Sequence, residues 1–421
     1  MFERTVLPEG PRVISARLPG TRSLAVAAYV LAGSRTESRE RSGVAHFMEH
    51  LTFKGTQAYP STRAVSEAIE GIGGMSNAAT DRESTVYWTR LPVREAERAV
   101  QVLAELTVRP LLRDEDIARE RDIIVEEIRS YRDDPGQYVF NLFDEAFFGD
   151  SPLGWEIAGD EESVRSMPEA AIRDFWAAAY RPANIVVAVA GDISHDVAVD
   201  LVRGAFGTGN GVVPDFMAAP PGPVGPRFRL LHQKVAQAHL CLGVPALARD
   251  HPDTWTLELL TTILGDGSSS RLFLKVREDA GLAYDVHAFQ TDLADCGTLQ
   301  IYAGVDPGQM TEALAAILGE LARLRDETVE PGELDKARAY AKGRLELRLE
   351  ESRHLASWLG VQEALHDRVL TLDEALAALD AVTAADIRSL AGRLFREEVL
   401  TLAVIAPARR GRALDQSLRL P

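Results

Sequence analysis

Two cysteines in 421 residues are too few for a disulfide framework, and Cys241 and Cys296 stand far apart with no metal-ligand spacing around them. They read as reduced thiols in strand-like surroundings. No apolar run reaches the length needed to span a bilayer, so no membrane segment is expected. The N-terminal Met1-Phe2-Glu3-Arg4 shows no basic stretch followed by an apolar one, so neither a secretion leader nor a location other than the cytoplasm is expected. Basic charge is also short. Lys and Arg number 46 against 63 Asp and Glu, a net charge of −17 that argues against nucleic acid as a partner. The acidity is compatible with a basic peptide ligand. An apolar fraction of 46% and a charged fraction of 26% fall in the range of globular enzymes, and the length suits two or more domains.

Histidine is scarce as well, nine in all, yet two of them fall within one pentapeptide, His46-Phe47-Met48-Glu49-His50. An apolar strand-like run over residues 23–32 and a charged turn precede it. Ser42 is a plausible N-cap, Val44, Phe47, Met48 and Leu51 form an apolar side, and Gly55 closes the element, so the motif is expected on a helix. Residues four apart share a helical face, which lets His46 and His50 reach one metal ion. Glu49 projects beside the two rings, where a reacting water would sit. The order H-x-x-E-H is the inverse of the H-E-x-x-H zinc motif. Two imidazoles leave the set incomplete, because catalytic zinc takes three protein ligands and keeps one position open.

A third ligand is expected from a helix over residues 114–131, DEDIARERDIIVEEIRSY, closed by Asp133-Asp134-Pro135. Glu120 and Glu127 are seven apart and share a face, on the same side as Ile117, Ile124 and Ile128. Carboxylates drawn in beside a core need a partner, and a metal held by two imidazoles is a suitable one. Spacing alone does not separate Glu127 from its neighbour Glu126.

These residues resemble the pitrilysin/insulinase-type zinc metallopeptidases. That family pairs H-x-x-E-H with a later helix reading E-R-x-x-x-x-x-E, and here Glu120-Arg121 leads to Glu126-Glu127. The resemblance implies Zn2+, one ion per chain, on His46, His50 and Glu127, with Glu120 orienting a ligand from behind and Glu49 as the catalytic base. It extends over essentially the whole chain. The segment from Gly73 to Thr80, followed by Thr85-Val86-Tyr87, is similar to the strand that pairs with substrate backbone in the family, with Asn77 and Ala78 at its contact positions. In the second half, Arg277 and Tyr284 match an arginine and tyrosine that help bind substrate and steady the tetrahedral intermediate across a cleft.

The chain also reads as an internal duplication. A pattern of strands and helices that includes residues 12–36, 61–72 and 86–91 is repeated in the second half by a pattern that includes 228–247, 253–264 and 298–305. A stretch at 209–226, rich in Pro and Gly, has the character of a semi-rigid spacer. The expected fold class is α+β: two similar domains of mainly antiparallel sheet with helices on one face, forming a clam-like cleft. The first would be 1–208 with the zinc, the spacer 209–227, and the second 228–421. Residues 254–264, the counterpart of the motif helix, contain no histidine, so one metal site per chain is expected. The resemblance implies endopeptidase action on extended peptides or unfolded segments, in a homodimer or a heterodimer with a homologous subunit. Two other roles belong to the same resemblance: a processing-type subunit that needs a partner chain, and a non-catalytic scaffold.

Overall fold

The computed structural model describes residues 2–211, 214–407 and 411–421. Eleven strands form two sheets among these residues: β1 (Glu3–Val6), β2 (Arg12–Arg17), β3 (Ser23–Val30), β4 (Met75–Thr80), β5 (Thr85–Pro92), β6 (Ile185–Gly191), β7 (Arg227–His232), β8 (Ala238–Ala246), β9 (Ala283–Asp292), β10 (Gly297–Val305) and β11 (Thr401–Ala406). The first sheet runs β1-β2-β6-β3-β5-β4 and the second β7-β11-β8-β10-β9. Without β1 the two orders are the same path. Each begins with a parallel pair, β2 with β6 and β7 with β11, and continues antiparallel to the far edge. The duplication expected from the sequence is therefore present strand for strand, in two units of mixed sheet and helix.

In the first half the leading helices are α1 (Val44–Thr52), α2 (Thr62–Glu70), α3 (Ala96–Val108), α4 (Asp114–Asp133) and α5 (Pro135–Phe148). Side chains alternate along a strand, so each strand can serve two cores. On β3, Leu24, Val26, Ala28 and Val30 face a core that includes Phe47 and Leu103, while Ala25, Ala27 and Tyr29 face the opposite way. That opposite face is covered by the helix Ser352–Leu365, through Ala356 and Leu359. The second sheet repeats the arrangement. One face packs on Leu257, Leu260, Leu314 and Leu390, and the other, with Cys241, Ala403 and Ile405, is covered by Val139, Leu142 and Phe143 of α5. Helices thus lie on both faces of each sheet rather than on one. Close approach is secured by glycine at both covers: a Cβ on Gly360 would stand 2.3 Å from the Tyr29 ring, and one on Gly243 would stand 2.5 Å from Phe143.

The covering helices come from the opposite half of the sequence, so the compact units are not contiguous in the chain. One comprises Met1–Arg129, Glu156–Met217 and Glu346–Thr371, the other Ser130–Trp155, Ala218–Leu345 and Leu372–Pro421. These bounds cut across the halves 1–208 and 228–421. Within the spacer, residues 212 and 213 lie outside the described residues. Its later part is held in place: Arg35 stacks on Phe216, 4.1 Å from the ring centroid, and donates from Nε to the Met217 carbonyl at 3.2 Å. Beyond it, the Ala219 N–H donates to Asp295 at 2.8 Å. Among the described residues no helix is long and apolar enough to cross a membrane.

Candidate metal centre

The motif helix α1 starts from an arrangement the local pattern did not reveal. Ser42 is buried beside the N-cap rather than occupying it. The N-cap is Gly43, in the left-handed region with φ of 92°, and it has no side chain to offer. The first amides are instead taken by Glu37, whose carboxylate accepts from Gly43 N–H at 2.7 Å and Ala45 N–H at 2.8 Å. Burial pushes the Glu37 carboxyl up to about 8, against the pull of these two amides and of Arg82. Phe47, Met48 and Leu51 then face the core and fix the turn of the helix, which leaves His46, Glu49 and His50 on the other side.

Helix α4 approaches with Ile117, Ile124 and Ile128 buried, as the spacing predicts, and Glu120 and Glu127 come with them towards α1. His50 lies between the two carboxylates. Its Nε2 is 3.2 Å from Glu127 Oε2 and its Nδ1 is 3.2 Å from Glu120 Oε2. His46 Nε2 is 3.8 Å from Glu127 Oε1, and the two imidazole rings meet edge to face with centroids 4.7 Å apart. Glu126 points elsewhere, 71% exposed and paired with Arg129 at 2.7 Å.

Among the described residues, His46, His50 and Glu127 are the one group of three such side chains whose ligand atoms all lie within 4.8 Å of one another. The set fits a zinc ion on chemical grounds. Ligand bonds of about 2 Å in a tetrahedron put donor atoms roughly 3.3 Å apart, and two imidazoles with a carboxylate are a familiar donor combination for a reactive zinc. The proton balance also suits a metal. Burial, helped by the His50 charge, holds His46 down to about 4, so its ring is neutral and free to ligate. Burial also opposes charge on His50, but the hydrogen bonds to Glu120 and Glu127 outweigh it and push that ring to about 9.

Glu49 lies beside the rings, and its Oε2 accepts from the Thr80 hydroxyl at 2.5 Å. Burial raises its pKa, with the Thr80 hydroxyl working against the rise. Thr80 ends β4, and β4 is an edge strand of its sheet. Asn77 and Ala78 lie on the same strand, Asn77 exposed, its side-chain oxygen accepting from the Ala78 N–H at 2.9 Å. The strand thus presents an unpaired edge next to the candidate base. Local periodicity did not single out Glu37 or Thr80, because both act through contacts distant in sequence.

Arg277 and Tyr284 belong to the second unit and form a group of their own. Arg277 sits in a π-helical stretch, Phe273–Asp279, a rare geometry often found where a side chain must be re-aimed. Its guanidinium stacks on the Phe273 ring at 4.7 Å and lies 5.6 Å from the Tyr284 ring. Tyr284, at the start of β9, is 75% exposed.

A family model described as insulinase (peptidase family M16) matches residues 12–161, and one described as the peptidase M16 inactive domain matches residues 166–340. The chain is 35% identical over 412 residues to an uncharacterized zinc protease of Streptomyces coelicolor, covering 96% of this chain and 89% of the relative. It is 30% identical over 416 residues to the mitochondrial-processing peptidase subunit beta of Pongo abelii, covering 96% and 84%. A solved protease from Helicobacter pylori superposes with a TM-score of 0.90 at 24% identity, covering 97% of this chain and 99% of that one, a likeness of fold.

Proposed function

Because the chain belongs to the insulinase family, peptidase family M16, we propose that it is a zinc-dependent endopeptidase of the inverted H-x-x-E-H type, acting on extended peptides or unfolded segments. The observation that carries this reading is the convergence of His46, His50 and Glu127 within 4.8 Å, with Glu49 beside them. His46, His50 and Glu127 would hold the ion, and Glu120 would orient the His50 ring from its far side. Zinc bound there supplies Lewis acidity towards water and towards the scissile carbonyl.

The chain's own groups do the rest. Glu49 takes the proton of the attacking water and returns it to the leaving amine. The Thr80 hydroxyl, bonded to one carboxylate oxygen, fixes that carboxylate so that the other is aimed at the water. Substrate backbone adds as a strand along the edge of β4 at Asn77 and Ala78, which admits only extended chain. The Asn77 side chain must then release the Ala78 amide it now occupies. Arg277 and Tyr284 contribute donors to the substrate chain or the developing oxyanion.

In the metal-free protein, protonated His50 stabilises the fold fully below its ordinary value of about 6.5. That contribution is lost as pH rises through about 9. To hold an ion, His50 would give up the proton that it directs at Glu127. Zinc affinity measured between pH 6.5 and 8.5 should therefore fall about tenfold for each unit of acidification, with one proton released per ion. Affinity independent of pH across that window would mean His50 is not a ligand.

The test of function is cleavage of an unfolded polypeptide by the purified chain, abolished by a chelator and restored by zinc. Similarity to a processing-peptidase subunit supports a second reading, in which the chain acts with a homologous partner. Activity that appears only with a second polypeptide would favour that reading, and activity of the chain alone favours a self-sufficient enzyme or homodimer. Bound zinc without cleavage in either case would overturn the peptidase assignment.

A further inference from the structure

The helices that bear the ligands are joined by a side chain just outside the motif. Lys54 follows α1, and its Nζ lies 2.7 Å from Glu120 Oε1 on α4. The other oxygen of the same carboxylate meets His50 Nδ1 at 3.2 Å. The Glu120 side chain is 1% exposed, so water offers it almost nothing, and Lys54 and His50 are the charges it meets. The terminal torsion of a glutamate is broad and roughly two-fold, unlike the staggered torsions nearer the backbone. A carboxylate held at one oxygen can still swing. With the Lys54 ammonium paired at one oxygen and the His50 ring at the other, its plane has one favoured setting.

We propose, on the zinc reading given above, that Lys54 is a positioning residue for the metal centre: it locks the Glu120 carboxylate so that Oε2 fixes the ring of His50. The backbone supports a role of this kind rather than a role in folding the loop. The segment after α1 is secured without the Lys54 side chain. Leu111 N–H donates to the Gly55 carbonyl at 2.9 Å, and Gln57 N–H to the Arg109 carbonyl at 3.1 Å. Arg113 donates to the carbonyls of Lys54 at 3.1 Å and Pro60 at 3.0 Å. Removing the ammonium leaves all of these in place. What it frees is Glu120, and through Glu120 the orientation of a ligand ring.

The experiment compares the metal-free wild type with Lys54→Met and Lys54→Arg. Zinc affinity is read by competition with a chromogenic chelator, and thermal unfolding of the metal-free proteins is read beside it. Loss of a partner standing behind a ligand typically weakens metal binding about 10–100-fold. Lys54→Met, which leaves Glu120 in place, should weaken binding by about the lower end of that range, with metal-free unfolding lowered because a buried carboxylate loses a charged partner. Lys54→Arg should recover most of the affinity. Wild-type affinity in Lys54→Met overturns the proposal. So does equal weakening in both variants while Lys54→Arg restores the unfolding temperature, which would mark Lys54 as a structural salt bridge only. If the wild type itself binds no zinc, the zinc reading fails first and takes this inference with it.

Discussion

Glu49→Gln should keep its zinc and lose hydrolysis, by about 10³-fold within the 10²–10⁴ that a positioned acid–base group typically supplies. The substitution is close to isosteric, and the glutamine oxygen can still accept from the Thr80 hydroxyl that now meets Glu49 Oε2 at 2.5 Å. None of the three converging donors is altered. What disappears is a group able to take a proton from water and give it back. The stability readout has a definite sign. Burial raises the Glu49 pKa, so carrying the charge at neutral pH costs the folded state something, and a neutral amide removes that cost. The variant should therefore unfold no earlier than the wild type in the metal-free form. Inactivity with normal zinc and an undiminished unfolding temperature identifies a chemical defect. Full turnover by Glu49→Gln would remove Glu49 from the mechanism.

The two kinds of information in the sequence reached different depths. Helical periodicity predicted the inward sides of α1 and α4 well, because Phe47, Met48 and Leu51, and Ile117, Ile124 and Ile128, are all buried. A motif of His46, Glu49 and His50 needs only one helix to be legible, and α1 supplies it. The repeated strand order was also readable, since alternating apolar runs recur in both halves. Layering was less so. The run Leu24–Val30 is buried on both faces, a pattern that calls for cover on each side, but nothing in it says that the cover is a helix more than 300 positions away. The same holds for α5 on the second sheet. Contacts so remote in sequence leave no periodic trace, and the expectation of one-sided sheets followed from that.

The support around the centre was hidden for the same reason. Glu37 stands several positions before α1 and fits no capping pattern, because the usual polar N-cap is replaced by Gly43 and a carboxylate folded back onto two amides. Lys54 is one of five lysines in the chain, and nothing in its local sequence ties it to Glu120 until α4 is brought beside it. Thr80 reads as an ordinary strand threonine until its hydroxyl is found on Glu49. Periodicity identifies which residues face inward. It does not identify which polar groups meet there.

The sharpest case is the pair Glu126 and Glu127, which spacing left open and geometry separates. Glu127 has its two oxygens 3.2 Å from His50 Nε2 and 3.8 Å from His46 Nε2, while Glu126 is largely exposed and paired with Arg129. Glu127→Gln should lose zinc by more than the roughly 10–100-fold expected for a residue behind a ligand, leaving a dialysed protein with little metal. Glu126→Gln should retain a full complement, because an exposed pair within one helix contributes little to anything. A second readout separates ligation from general damage. In the metal-free protein the hydrogen bond from His50 holds Glu127 below the usual carboxylate range, and Glu127 in turn helps hold His50 near 9. Replacing that carboxylate should lower the His50 pKa, so the stabilisation that protonated His50 gives at neutral pH should shrink in Glu127→Gln and not in Glu126→Gln. The stability profile against pH, taken without metal, shows whether the substitution reached the ring. Zinc content then shows whether the ring and the carboxylate act on one ion. Full zinc in Glu127→Gln, or its loss in Glu126→Gln, would defeat the assignment even with the H-x-x-E-H motif intact.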